Sequence, residues 1–125
     1  MTSGIARKFA MLMGFEAGTL AVIATLHLTG VLGGGHRPFR PVDAGIAEAI
    51  TGLVLVYGVT VLVRRARHAH GIALATIVFA IVSFIVGLTF TLRGGDAIDI
   101  AYHATMLPLL LLTLILLRRS ELARS

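Results

Sequence analysis

Ile72 to Leu92 reads IALATIVFAIVSFIVGLTFTL, 21 residues without one charged side chain. As an α-helix it is about 30 Å long, the thickness of the hydrocarbon core of a bilayer. Lipid offers no partners to free backbone groups, so a segment that crosses it has to close its own hydrogen bonds as a helix.

Three further segments share this character: about Phe9–Leu32 (FAMLMGFEAGTLAVIATLHLTGVL), about Ala44–Val63 (AGIAEAITGLVLVYGVTVLV) and about Ile98–Leu117. Between them, GGGHRPFRPVD combines three glycines with two prolines and cannot remain helical. RRARHAHG and RGGDA make the other two joints. Short joints set consecutive helices side by side. The expected fold is an all-α integral membrane protein, a four-transmembrane-helix antiparallel bundle forming one domain over residues 1–125, with helices at about 9–32, 44–63, 72–92 and 98–117.

Composition agrees. The 125 residues are 57% hydrophobic and 14% charged, against about a quarter charged in ordinary globular chains. Mean hydropathy is +0.94. There is no cysteine, which excludes disulfides, thiol catalysis, iron–sulfur clusters and Cys-ligated zinc.

The net charge of +5 does not point to nucleic acid, because the arginines punctuate the apolar runs and form no continuous basic face. Anionic lipid headgroups explain them better. Arg7, Lys8, Arg64, Arg65, Arg67, Arg118, Arg119 and Arg124 fall on one side, and only Arg37, Arg40 and Arg93 on the other, offset by Asp43, Asp96 and Asp99. The positive-inside rule then sets both termini in the cytoplasm, in a multi-pass protein of the inner or plasma membrane. The first segment reads as a retained helix, since its apolar region is long and VLGGGH lacks a cleavage pattern.

Small residues mark membrane-helix interfaces. Gly14, Gly18, Ala21, Thr25 and Thr29 form such a stripe in the first span, Gly45, Ala49 and Gly52 in the second, and Thr76, Ala80, Ser83, Gly87 and Thr91 in the third. All three are expected inside the bundle. The fourth span, mostly leucine beyond Pro108, presents a lipid face, and Pro108 can open space beside His103.

The ionisable groups inside the spans carry the functional question, because each is costly in hydrocarbon. His27, Glu48 and His103 all fall roughly 6–9 Å below the outer boundary, with Asp99 one turn above His103. Glu16 lies on the face of His27 but about 16 Å away along the axis, in the cytoplasmic half. It is either a step in a proton path or a carboxyl bonded to a neighbouring helix.

Three chemistries suit His27, Glu48, Asp99 and His103. The first is structural: the groups satisfy one another and hold the helices in register. The leading reading is accordingly a small polytopic membrane protein of accessory or structural type, with a polar outer-leaflet cluster. The second is a four-coordinate divalent metal shell, for zinc, or for manganese or iron with added water. The third is a proton-linked His–carboxylate network. A bis-histidine haem b held by His27 and His103 in an electron-transfer subunit is a further alternative, weakened by the nearby carboxylates.

His36 reads as a solvated loop residue, and His68 and His70 as part of a headgroup surface. No nucleophile triad or paired-carboxylate arrangement can be read, so catalysis is not the expectation. Other membrane subunits or a second copy of the chain are the expected kinds of partner besides the bilayer.

Overall fold

The computed structural model describes residues 3–33, 37 and 39–122, so His36 and Arg124 lie outside the described residues. Four helices follow in order: α1 (Ser3–Leu28), α2 (Pro41–Val63), α3 (Ala69–Thr91) and α4 (Ala97–Leu122). Each is long and apolar enough to cross a membrane. α1 packs on α2 and α4, and α3 closes the ring from the other side against the same two helices.

The helix ends have local causes. α1 starts at Ser3 and stops at Leu28, four residues before the end expected from hydropathy. Gly30 takes the left-handed conformation at φ 76° and donates to the carbonyl of His27, which turns the chain out of the helix. α2 begins on Pro41, whose missing N–H costs nothing in a first turn. α4 runs through Pro108 without a break and continues through Arg118 and Arg119 to Leu122, beyond the apolar run.

The core is a column of apolar side chains including Met13, Leu20, Leu55, Ile77, Leu110 and Leu117. Outside it, large apolar side chains from Met11 and Phe15 to Leu112 and Ile115 stand exposed. Soluble monomers rarely expose contiguous apolar surface on this scale, and lipid is the solvent that suits it.

One packing expectation is corrected. The α1 stripe of Gly14, Gly18, Ala21, Thr25 and Thr29 is exposed on the outside of the bundle. The face that α1 buries instead carries Met13, Glu16, Ala17, Leu20, Ala24 and His27. The α2 and α3 stripes do turn inward. A Cβ at Gly45 would stand 3.0 Å from the His27 Cβ, and one at Gly58 would meet Thr76 Oγ1 and Met13. Most threonine hydroxyls donate to carbonyls three or four residues back in their own helix, as Thr25, Thr51, Thr76 and Thr105 do. The helices are therefore held together mainly by packing.

Candidate metal centre

The site is assembled by close backbone approach. Gly45 lets α2 press on the last turns of α1, where its missing side chain leaves room for Leu28, the His27 Cβ and the Ala24 carbonyl. One turn later Glu48 stands beside His27, and Glu48 Oε2 lies 2.8 Å from His27 Nδ1. That length is typical of a charge-assisted bond.

α4 enters from the other side. The joint after α3 turns at Gly94 and Gly95, both bonded to the carbonyl of Thr91. This brings Asp99 back against the end of α3, where Thr91 Oγ1 lies 3.1 Å from Asp99 Oδ2. The same oxygen is 3.5 Å from His27 Nε2, too far for a good hydrogen bond. His103 sits one turn further along α4, its Nδ1 3.0 Å from the backbone carbonyl of Asp99 and 3.0 Å from Oδ1. The ring N–H is aligned with the carbonyl, and Oδ1 is left in ion-pair range without a hydrogen bond.

His27, Glu48 and Asp99 each offer a ligand atom, all within 4.8 Å of one another, and all three residues are buried. His27 Nε2, Glu48 Oε1 and Asp99 Oδ1 are buried atoms with no hydrogen-bond partner. A closed structural network leaves few such atoms, and a cluster of them asks for a further occupant. His103 joins through Asp99 rather than through this set, and its ring also packs on Phe84 at 5.0 Å.

Glu16 stands apart. Its Oε1 lies 2.7 Å from Thr113 Oγ1 of α4, and Thr19 joins its backbone carbonyl to the Tyr102 hydroxyl. Thr113 also lies 3.0 Å from the carbonyl of Leu109. One hydroxyl proton faces two acceptors, and a carboxylic acid at Glu16 satisfies both.

The geometry is unfavourable for haem. The Asp99 carboxylate stands between the two imidazoles, within 3.5 Å of His27 Nε2 and 3.0 Å of His103 Nδ1. That leaves no space for a porphyrin plane between the rings.

Sequence reasoning placed Gly45, Gly87 and Thr91 on interior stripes without connecting them to the cluster, and it did not single out Phe39, whose ring lies 5.8 Å from that of His27. For Thr91 a signal exists: the Gly94–Gly95 turn between it and Asp99 is tight enough to fold one onto the other.

Together the helices and the cluster define a small helical membrane protein with a buried His–carboxylate site. Comparisons with protein-family models, with curated proteins and with solved structures find no match to this chain.

Proposed function

We propose that this chain is a small multi-pass cell-membrane protein that binds a divalent metal ion through His27, Glu48 and Asp99. Its helices cross alternately in an antiparallel bundle with both termini cytoplasmic. The arginines support that orientation: Arg64 and Arg65 follow the end of α2, Arg118 and Arg119 close α4, and Arg7 and Lys8 lie in the opening turns of α1. The cluster then faces the outer leaflet.

The observation that carries the metal reading is the unpartnered state of His27 Nε2 beside Asp99 Oδ2, both fully buried. Ligands bonded to zinc at about 2.0–2.2 Å in a tetrahedron lie roughly 3.4 Å from one another, close to the 3.5 Å separation here. Glu48 holds the opposite ring nitrogen, an arrangement that fixes the tautomer of a metal-bound histidine. Its Oε1 remains available as a further donor. Charge is balanced too, since a divalent ion matches the two carboxylates. Zinc suits this N/O set best, with water completing the shell; manganese or iron would need more water. His103 serves as a positioning residue for Asp99. An accessory role beside other membrane subunits is compatible with such a site.

Equilibrium zinc binding to the detergent-purified protein tests the proposal. The native chain should bind one zinc, and His27→Gln, which can still form a hydrogen bond, should weaken binding at least about 100-fold. Equal affinity in both proteins would remove the ion and leave a structural polar cluster.

A further inference from the structure

His27, Glu48 and Asp99 come from α1, α2 and α4, and none of the three comes from α3. On that side, between α2 and α3, lies a cavity of about 420 Å³. Glu48 lines it, as do Thr91 and His103, which stand 3.1 Å and 3.0 Å from oxygens of Asp99, and Phe39, whose ring is 5.8 Å from that of His27. α3 meets the space with Ser83 and Gly87, whose small size leaves it open.

The lateral rim is made by Val82, Val86 and Phe90, all half-exposed within the candidate span of α3. In a bilayer the cavity therefore opens sideways, among acyl chains. At its loop end Arg40 and Asp43 pair at 3.3 Å, both side chains exposed. That pair is neutral as a whole, and the guanidinium donors favour a head that carries oxygen.

Three protein ligands leave one position of a tetrahedral zinc shell to an exchangeable partner, the pattern of reactive rather than structural sites. Small-molecule sites span about 300–1,000 Å³ and combine apolar walls with a few convergent polar groups. On their own, the carboxylates of Glu48 and Asp99 would repel an oxygen-rich head; a divalent ion between them offsets that charge.

We propose that the fourth metal position opens into this cavity and takes the oxygen-donor head of a membrane-dissolved amphiphile, whose apolar tail lies along Val82, Val86 and Phe90. The inference rests on the metal reading and adds to it a ligand class and a lateral entrance.

Equilibrium binding of octanohydroxamate to the full chain in detergent, loaded with zinc or stripped by a chelator, tests it. Octanamide shares the tail without the chelating head, and acetohydroxamate has the head without the long tail. With zinc, octanohydroxamate should bind saturably and octanamide at least about ten-fold more weakly, the scale of a lost bond to a charged group. Stripping the zinc should remove that difference. Ser83→Leu and Ala47→Leu narrow the cavity from α3 and from α2. Each should lower octanohydroxamate affinity about ten-fold by overpacking, while zinc and acetohydroxamate bind as in the native chain. Partitioning into micelles is common to all three proteins and cannot produce that loss. Equal binding of octanohydroxamate and octanamide by the zinc-loaded protein would overturn the proposal and leave the metal site standing. So would native octanohydroxamate affinity in both cavity variants. Failure of the native chain to bind zinc would remove the metal reading, and this inference with it.

Discussion

His27 and Asp99 face each other with Nε2 and Oδ2 3.5 Å apart, both side chains fully buried and no hydrogen bond between them. Around them the partners are well made: Glu48 at 2.8 Å on the other nitrogen of the imidazole, and Thr91 at 3.1 Å on the carboxylate. The gap lies between two groups that are otherwise firmly held. A cation in that gap turns an unsatisfied contact into two bonds.

Thr91 is the first residue to test around this pair. It orients the Asp99 oxygen that faces His27, and partners of metal ligands typically contribute 10–100-fold to affinity. Thr91→Val should therefore weaken zinc binding about ten-fold and leave the helical content unchanged. A titration matching the native protein would mean that the threonine only closes its bond to the Gly87 carbonyl.

Gly45 and Gly14 make a matched comparison. A Cβ at Gly45 would lie 2.9 Å from Leu28 Cγ and 3.1 Å from the Ala24 carbonyl oxygen, whereas at Gly14 nothing comes within 4 Å. Gly45→Ala should cost about 1–3 kcal/mol, the usual penalty for overpacking, and reduce zinc affinity as Glu48 moves away from His27. Gly14→Ala should change stability by less than about 0.5 kcal/mol. Reversible unfolding in mixed micelles measures both.

Glu16 is expected to be structural and uncharged. Glu16→Gln retains a hydrogen bond to Thr113 and should be tolerated, with stability within about 0.5 kcal/mol of native and zinc binding unaffected. Thr113→Val leaves a buried carboxyl without its bond and should cost about 1 kcal/mol, the scale of an interhelical hydrogen bond. A larger loss in Glu16→Gln than in Thr113→Val would show that the charge itself matters there.

Removing the ion should loosen the cluster end first. With zinc at 100 times its dissociation constant the folded state gains about 2.7 kcal/mol. Chelation should therefore speed hydrogen exchange at the end of α1 and the starts of α2 and α4, with little change around Ile77 and Leu110 in the core. Uniform acceleration along all four helices would speak against a localised site.

Much of this was legible before any coordinates. The uncharged run from Ile72 to Leu92 requires a spanning helix, and counting residues inward from the loops puts His27, Glu48 and His103 at one depth. Rotation about the helix axes was not legible. Periodicity identifies the stripe from Gly14 to Thr29 but not which way it faces, and it lies outside the bundle. The same freedom hid the difference between Asp99, which turns to His27, and His103, whose Nε2 turns to Gly87. Helix ends departed from the hydropathy estimate where a backbone device intervened, as Gly30 does after His27.

Elemental analysis of the detergent-purified chain, quantifying zinc, manganese and iron per protein beside Asp99→Asn, tests the central claim most directly. Near-stoichiometric metal in the native protein, falling below a tenth in the variant, is the result the account predicts. Metal absent from both, or equal in both, would contradict it.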